Sequence, residues 1–278
     1  MLKQRIITAV IMAGLFLAAI AYVPVPGLAL LFGVLVALGA WEWSRMAGWQ
    51  HRVARVLYVV LVLAALLAVY AYCQLGDQPS RLQVQPLLGL ACLWWSFALL
   101  WVKGYPDSAV LWRTVVMRSA VGIFILVPGW MAAVYLLSFP PGGLLMLVLV
   151  VVVASADIGA YFAGKRFGKH KLAVRVSPAK TWEGFWGGVA ACVLLAILLW
   201  YQLPDRAAHI GLASLVAVIL ATTLASVVGD LTVSMVKRES GVKDSGSLLP
   251  GHGGVLDRLD SLCAAAPVFA LGLLLAGW

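Results

Sequence analysis

Charged residues are scarce in this sequence, and polar surface is scarce with them. Asp, Glu, Lys and Arg make up 11% of the 278 residues, whereas 63% of the residues are hydrophobic. Soluble proteins carry about 25% charged residues. This chain therefore has too little polar surface to cover a water-exposed core, and its composition excludes an ordinary soluble domain.

Cysteine is also scarce, and its placement excludes two kinds of site. The four cysteines lie in or at the ends of apolar runs and form no CxxC pair. Metal sites and disulfide frameworks need cysteines at characteristic spacings. We therefore interpret these cysteines as packing residues and expect neither a zinc site nor a disulfide framework. The sequence also shows no internal repeat, low-complexity tract or soluble domain.

Long apolar runs dominate the rest of the sequence. Residues 6–23 carry no charge, and residues 142–164 carry a single acid. A bilayer core about 30 Å thick is crossed by about 20 apolar helical residues. Barrel strands would alternate polar and apolar residues instead. We therefore predict an all-α polytopic membrane protein with nine spans, at about 5–23, 27–46, 53–73, 84–102, 116–138, 142–164, 184–203, 208–229 and 260–278. A signal peptide is the alternative for the first span, but its apolar stretch is long for one.

The distribution of Lys and Arg predicts the orientation of these spans. With nine spans, 18 of the 20 Lys and Arg residues fall on one side, and only Arg81 and Arg206 fall on the other. Basic loops face the cytoplasm, so we expect a cytoplasmic N-terminus and an external C-terminus. The net charge of +9 then lies mostly at the cytoplasmic surface, where it suits anionic lipid headgroups and phosphate-bearing substrates. We expect no nucleic-acid partner.

Two polar segments on the predicted cytoplasmic face hold most of the unusual residues. They are residues 165–183 and 230–260. Because both lie on the same face, they can meet. We therefore divide the chain into an N-terminal transmembrane scaffold, 1–140, and a catalytic transmembrane part, 141–278.

Acidic side chains within or beside the spans are the first candidates for chemistry. Asp157 lies late in an apolar run. A carboxylate within a membrane span usually faces a polar cavity or a partner side chain. The alternative is that Asp157, near the end of the span, reaches the lipid headgroups. Asp230 is followed by Ser234, Lys237 and Arg238. If the eighth span continues as a helix, these four residues share one face. That face would bind a hard cation and phosphate oxygens, or it is an ordinary basic helix end.

The last span begins with two more acids, Asp257 and Asp260, three residues apart. On one helical face they would repel each other unless a cation lies between them or one is protonated. The alternatives are a pairing with Arg258 and a favourable interaction with the helix dipole. The preceding PGHGG segment, 250–254, permits close backbone approach to a phosphate, but most glycine-rich loops are only turns. Upstream, Thr181 is a predicted helix N-cap.

Together these sequence patterns point to one protein family far more specifically than any one of them does alone. The order S-x-V-K-R, four residues, K-D-x-G-x-x-L-P-x-H-G-G-V-x-D-R-L-D runs unbroken over 234–260. It resembles the signature of the CDP-diacylglycerol synthases, also called phosphatidate cytidylyltransferases, of bacterial type. The upstream patterns D-x-G-A-Y-F-x-G-K-x-F-G-K and S-P-x-K-T-x-E-G-x-x-G-G also resemble that family. The resemblance is strong over about 156–260, while length and hydropathy fit across the whole chain.

The resemblance implies transfer of the cytidylyl group of CTP to phosphatidate, which gives CDP-diacylglycerol and pyrophosphate in phospholipid synthesis. It also implies Mg²⁺, room for a second cation such as K⁺, a homodimer, and a location in the inner membrane with a cytoplasmic site. The expected catalytic residues are Lys237, Arg238, Asp257, Asp230 and Ser234. The expected metal ligands are Asp230 and Asp257, with Asp260 as a further ligand or neighbour. The expected substrate contacts are Lys180, Ser177, Lys243, Asp244, His252, Gly253, Gly254 and Arg258.

Other functions are less consistent with these residues. A CTP-dependent polyprenol or phytol kinase is the nearest enzyme alternative, and its product would distinguish it. A CDP-alcohol phosphotransferase would show D-G-x-x-A-R followed by G-x-x-x-D-x-x-x-D, which this sequence lacks. A secondary transporter would show two similar halves with polar residues near the midplane. Here the polar residues cluster at the cytoplasmic ends of the second half.

Overall fold

The computed structural model describes residues 2–76, 79–202, 211–248 and 253–277, without the side chains of residues 2–6 and 9. In this part of the chain the helices, in order, are α1 (Leu2–Tyr22), α2 (Val25–Ala47), α3 (Arg52–Cys73), α4 (Arg81–Gly104), α5 (Ala109–Trp112), α6 (Val115–Leu137), α7 (Gly142–Phe167), α8 (Trp182–Gln202), α9 (Leu212–Glu239) and α10 (Leu256–Leu275). Two short antiparallel strands, β1 (Lys171–Ala173) and β2 (Ser177–Thr181), form a hairpin between α7 and α8.

Most of these helices are built to cross a bilayer. Within the described ranges, eight helices are long and apolar enough to do so, namely α2, α3, α4 and α6 to α10. Helix α1 adds a shorter apolar stretch, Val10–Tyr22. Among the described residues, every predicted span therefore overlaps a helix, and the all-α polytopic membrane fold is confirmed.

Two helix ends differ from the predicted span ends, and both differences shape the site. The eighth predicted span ends near 229, but α9 continues to Glu239. The ninth begins near 260, but α10 begins at Leu256. A span predicted from hydropathy ends at the first charged residues, whereas the backbone hydrogen bonds of a helix continue through polar residues. Acidic residues also stabilise the first turn of a helix, and Asp257 lies in the first turn of α10.

The two halves of the chain share one hydrophobic core. Helix α6, the most buried of the eight long apolar helices in the described part of the chain, packs against α2 on one side and α10 on the other. Three of the cysteines, Cys73, Cys192 and Cys263, are buried. The division near residue 140 stays a prediction, but packing contacts cross it.

Close packing of α9 on α10 positions the polar ends of both helices. A Cβ atom at Gly229 would lie 2.5 Å from the backbone oxygen of Asp260. Only glycine allows this approach. The contact therefore brings Asp230, the next residue, beside the first turns of α10.

Candidate active site

The polar end of α9 presents four of the predicted site residues on one helix. They are Asp230, Ser234, Lys237 and Arg238. Their spacing places them on one side of the helix, as predicted. The Ser234 hydroxyl donates a 3.0 Å hydrogen bond to Asp230 Oδ1, which fixes the carboxylate on this face.

The first of two lysine–aspartate pairs joins the hairpin to α9. Lys180 Nζ lies 2.6 Å from Asp230 Oδ2, and the two side chains are 27% and 28% exposed. A cavity of about 380 Å³ between α7, α8 and the hairpin is lined by Lys180 and by Asp157. Both partners of this open pair, Lys180–Asp230, therefore remain within reach of a ligand.

The second pair joins α9 to the first turn of α10 and is more enclosed. Lys237 Nζ lies 2.8 Å from Asp257 Oδ1, and the side chains are only 11% and 7% exposed. The other carboxylate oxygen, Asp257 Oδ2, accepts hydrogen bonds of 2.9 Å from the amides of Ser245 and Gly254. Three donors thus hold the carboxylate of this closed pair, Lys237–Asp257.

A buried carboxylate from the N-terminal half caps α10. Glu42 on α2 is 8% exposed. Its Oε1 accepts a 3.0 Å hydrogen bond from the amide of Val255, and its Oε2 accepts one of 2.9 Å from Leu256. The first amides of a helix lack backbone partners and favour an anion. Glu42 therefore fixes the start of the helix that carries Asp257.

The same region of α2 also holds the loop between α9 and α10. Glu42 Oε2 accepts a 2.8 Å hydrogen bond from the Ser245 hydroxyl. Arg45 Nη2 donates a 2.9 Å hydrogen bond to the Ser245 carbonyl. Because the Ser245 amide binds Asp257, α2 positions the closed pair without contacting its carboxylate.

The backbone of Gly253 lies close to the Asp257 carboxylate. Its φ of +81° lies in the left-handed region, and a Cβ atom there would lie 2.6 Å from Asp257 Oδ2. Side chains larger than hydrogen are disfavoured on both grounds. The glycine pair of the sequence motif therefore allows the backbone to approach a carboxylate of the chain itself. A contact of this segment with phosphate stays a prediction.

The remaining predicted substrate contacts lie around these pairs. Arg238 Nε donates a 3.2 Å hydrogen bond to the Val176 carbonyl, which ties α9 to the hairpin beside Ser177. Lys243 and Asp244 lie exposed in the loop after α9, and Arg258 is exposed on the first turn of α10. His252 lies outside the described residues.

Asp260 lies inside the cluster of charges rather than at its surface. It is 8% exposed, and its Oδ1 accepts a 2.8 Å hydrogen bond from the Ser261 amide. The charges that act on it are those of Asp230, Lys237 and Lys180. The close contact of α9 with α10 therefore joins both pairs into one electrostatic unit.

Glu183 and Thr181 order the approach to α8. Glu183 accepts hydrogen bonds from the amides of Lys169 and His170 at 3.0 and 3.2 Å, and His170 Nδ1 lies 2.6 Å from its Oε1. Thr181 Oγ1 accepts a 3.1 Å hydrogen bond from the Gly184 amide, so the predicted N-cap is confirmed. These contacts hold the hairpin that carries Lys180.

The carboxylates fit a hard divalent cation by their chemistry. Mg²⁺ in enzymes commonly binds one or two carboxylates, with water and substrate phosphates completing its shell. A carboxylate has about four acceptor positions, and Asp230 receives two donors, from Ser234 and Lys180. In the described part of the chain no three His, Cys, Asp or Glu side chains are grouped to hold a metal by themselves. Asp230 and Asp257 would therefore need phosphate oxygens as further ligands.

The described part of the chain is a bundle of apolar helices of membrane-spanning length with two lysine–aspartate pairs at its polar end, which is the architecture of an integral membrane protein with a charged site at the end of its spans. The chain belongs to the cytidylyltransferase family, whose model matches residues 3–276. It is therefore a nucleotidyltransferase.

Two bacterial proteins, both named phosphatidate cytidylyltransferase, are similar over nearly their whole length. The protein of Pseudomonas aeruginosa is 45% identical over 278 residues, which cover 100% of this chain and 99% of that protein. The protein of Haemophilus influenzae is 39% identical over 283 residues, covering 97% of this chain and 98% of that protein. A Mycobacterium leprae protein of the same name is 40% identical over 51% of this chain and 45% of its own length.

Sequence reasoning did not find Glu42 and Arg45. Both occur in the segment WEWSR, 41–45, at the end of the second span. The signal was available, because an acid beside an apolar span is as unusual at Glu42 as at Asp157. Its partners lie about 200 residues away in the chain, at sequence separations of 203 to 214, so only the fold could identify them.

Proposed function

We propose that this protein transfers the cytidylyl group of CTP to phosphatidate, giving CDP-diacylglycerol and pyrophosphate for phospholipid synthesis. The observation that carries the proposal is the grouping of Lys180, Lys237 and Arg238 around paired aspartates at the end of a membrane span. Such a site is open to a soluble nucleotide and to a lipid phosphate together. The names of the two full-length relatives support the same reaction.

The chemistry is a direct displacement at phosphorus. An oxygen of the phosphatidate phosphate forms a bond to the α-phosphorus of CTP, and the bond from that phosphorus to the bridging α–β oxygen breaks. Pyrophosphate leaves with the electron pair. A phosphate monoester is ionised near neutral pH, since its second pKa is about 6, so the attacking oxygen requires no strong base. The protein's task is positioning and charge neutralisation.

The basic side chains divide this task. Lys180 and Lys237 would turn from Asp230 and Asp257 to phosphate oxygens when the substrates bind. Arg238 lies at the hairpin and would hold a phosphate at that edge. Ser234 keeps Asp230 oriented through its hydrogen bond. Cations placed where negative charge develops on the leaving group stabilise the transition state.

Asp230 and Asp257 would hold Mg²⁺, with Asp260 beside them. The ion supplies charge neutralisation and alignment of the phosphate groups when it is bound. A second cation such as K⁺ would lie within the same acidic cluster. Lys243, Asp244, Arg258 and the 252–254 segment would contact the nucleotide from the loop and the first turn of α10.

We further propose that the site faces the cytoplasm from the bacterial inner membrane. The clustering of Lys and Arg at this end of the helices supports that orientation. The N-terminus would then be cytoplasmic, the C-terminus external, and the working form a homodimer. Cysteine accessibility in spheroplasts tests the orientation. A Cys introduced at Lys243 should react with a membrane-impermeant reagent only after the inner membrane is opened.

Product identity in a purified system tests the proposed reaction. The detergent-purified protein is incubated with CTP, dioleoyl phosphatidate and Mg²⁺, and the lipid phase is analysed by mass spectrometry. We expect CDP-dioleoylglycerol and an equal amount of pyrophosphate, with neither formed in EDTA. In a parallel reaction a polyprenol replaces phosphatidate. A phosphorylated polyprenol together with CDP there, and no CDP-lipid in the first reaction, would support the kinase alternative instead.

A further inference from the structure

A second cavity lies beside the active site, between α4, the hairpin and α9. Its volume is about 600 Å³, within the range of about 300–1,000 Å³ found for ligand pockets. Its walls are mostly apolar and include Leu99 from α4, Trp182 from the start of α8, and Leu224 and Leu231 from α9. We call this cavity the α4–α9 groove.

The groove has a positive rim and no acidic lining residue. Lys103 and Arg175 line it, and both side chains are exposed. Within the described ranges neither forms an ion pair or a side-chain hydrogen bond. An apolar cleft with unpaired cations at one end matches a ligand that has a long apolar body and an anionic head.

The α9 wall of the groove fits within one leaflet of a bilayer. Its lining residues Leu224 and Leu231 lie seven residues apart on α9. At 1.5 Å per residue they are about 10 Å apart along the helix. One leaflet provides about 15 Å, half of a hydrocarbon core about 30 Å thick. An acyl chain with its phosphate at the positive rim would therefore run along this wall.

The groove also adjoins the cavity of the active site. Leu172, Phe185 and Val227 line both the groove and the cavity that contains Lys180 and Asp157. At the rim, the Val176 carbonyl accepts the hydrogen bond from Arg238. A phosphate at this rim is therefore separated from the open pair only by the hairpin and these shared side chains.

Another apolar groove in the same molecule shows what an ordinary lipid-facing surface is like. The groove between α2 and α3 has a volume of about 700 Å³. It is lined by residues such as Leu30, Leu63 and Leu67, and none of its lining residues is charged. Bulk lipid chains would fill either groove, but only the α4–α9 groove offers a site for an anionic headgroup.

We propose that the α4–α9 groove binds a diacyl phosphate lipid, with an acyl chain along α9 and the phosphate between Arg175 and Lys103, and delivers it to the open pair. This inference rests on the proposed function and names the binding site of its lipid substrate. The groove thereby accounts for access from the bilayer, while CTP reaches the pairs from the aqueous side.

Blocking the groove tests the proposal by kinetics. Leu224→Trp fills the groove, and Leu63→Trp is the matched control in the other groove, since the two leucines are 47% and 36% exposed. For Leu224→Trp we expect the KM for dioleoyl phosphatidate in mixed micelles to rise about tenfold or more, as for a misfit in an apolar pocket. The KM for CTP, and kcat/KM for water-soluble dihexanoyl phosphatidate, should change less than about twofold. An unchanged KM for the dioleoyl lipid overturns the proposal.

Removing charge from the rim gives a second kinetic test. Arg175→Gln should raise the KM for phosphatidate of either chain length about tenfold, the loss expected for one hydrogen bond to a charged group. Arg113→Gln is the control, because Arg113 is exposed after α5 and lies outside the groove lining. Equal effects of the two variants would show only a general surface-charge effect and would overturn the assignment of the rim.

Photolabelling tests binding without the reaction. A phosphatidate with a diazirine at the end of one acyl chain is compared with a phosphatidylcholine carrying the same chain, in the absence of CTP. We expect phosphatidate to label peptides of α4 or α9 in the wild type and in Leu63→Trp, and not in Leu224→Trp. Equal labelling by both lipids would mean an ordinary lipid-facing surface. Specific labelling without any CDP-lipid product would instead keep the groove and remove the proposed reaction.

The groove could alternatively be covered by a second copy of the chain. Light scattering on detergent-purified Leu224→Trp distinguishes that outcome. A change in oligomeric mass with an unchanged KM for phosphatidate overturns the proposed lipid-binding site in favour of a subunit interface. An unchanged mass with a raised KM supports it.

Discussion

The open pair and the closed pair contain the same two residue types but lie in different surroundings. Both side chains of Lys180–Asp230 are more than one quarter exposed, and the lysine lines a cavity. Lys237–Asp257 is about one tenth exposed, and two backbone amides also bind its carboxylate. The same two residue types can therefore form a pair that exchanges readily with a ligand at one end of a site, and a pair whose carboxylate is held in place by backbone amides at the other.

This difference predicts which partners separate when substrates bind. The Lys180–Asp230 contact is more exposed than the closed pair, so we expect its contribution to lie nearer that of exposed ion pairs, about 0–1 kcal/mol. Breaking a buried pair by removing one partner costs about 3–5 kcal/mol. We therefore expect the open pair to exchange its partners for phosphate readily, while Asp257 keeps its two amide donors throughout.

The largest effect is expected for Asp257→Asn. Loss of the carboxylate removes a metal ligand of the proposed site and leaves Lys237 buried without its counter-charge. We expect kcat for CDP-lipid formation to fall about 10³-fold and unfolding to become easier by about 3–5 kcal/mol. Steady-state kinetics and thermal unfolding in detergent measure the two effects.

Asp107→Asn is the control for that variant, because Asp107 is an exposed acid in the turn after α4. Both its activity and its unfolding temperature should match those of the wild type. A stable Asp257→Asn protein with normal kinetics would remove Asp257 from both of its assigned roles.

Asp230→Asn should lose activity without losing stability. The same metal and phosphate site is disrupted, so we expect a fall in kcat of about 10²–10³-fold. Because the pair is partly exposed, the unfolding free energy should change by at most about 1 kcal/mol. If the unfolding temperature falls as far as in Asp257→Asn, the contrast between the two pairs is wrong.

Glu42→Gln tests whether α2 positions the closed pair from a distance. The glutamine side chain keeps one acceptor oxygen, but its NH₂ group places a donor against the amide of either Val255 or Leu256, and the negative charge is lost. Loss of a hydrogen bond to a charged group is worth about 1.5–3 kcal/mol, so we expect kcat to fall about 10–100-fold. Hydrogen exchange at Val255 and Leu256 should accelerate, whereas exchange at the Gly184 amide should not change. Faster exchange at both places would mean general loosening of the fold instead.

The smallest effect is expected for Gly253→Ala. A left-handed conformation is less favourable for alanine by about 1–2 kcal/mol, and the methyl group would press on Asp257 Oδ2. We expect about a tenfold loss of kcat with CTP binding changed less. Gly241→Ala is the matched variant, because Gly241 also has a positive φ, of +71°, but a Cβ there meets no atom within 4 Å. Equal losses in the two variants would show backbone strain rather than contact with Asp257.

Much of the fold was predictable from the sequence because hydropathy reports each span directly. The spacing of Asp230, Ser234 and Lys237 also predicted one helical face, since helix geometry is local. The hairpin carrying Lys180 was not predicted, because three to five residues per strand give too short a pattern. The hydropathy limits of the eighth and ninth spans, near 229 and 260, fall short of the helix ends at Glu239 and Leu256, because hydropathy reports contact with lipid rather than backbone hydrogen bonding.

The partners within the site were less predictable, because they depend on contacts between distant segments. Neither the pairing of Lys237 with Asp257 rather than Asp230 nor the role of Glu42 can be read from local spacing. Both follow from the close contact of α9 with α10 at Gly229 and from the packing of α2 beside α10. The charge of a residue indicates its chemistry, whereas its partner is a property of the tertiary fold.

A double-label assay tests the central claim most directly. Purified protein is given dioleoyl phosphatidate and Mg²⁺ with CTP labelled with ³²P at the α position in one reaction and at the γ position in another. We predict that α-label enters the lipid phase, whereas γ-label stays soluble and moves from CTP to pyrophosphate, and that both lipid labelling and pyrophosphate release are lost in Asp230→Asn and Asp257→Asn. Label from the γ position in the lipid phase, or α-label that reaches lipid undiminished in both variants, would contradict it.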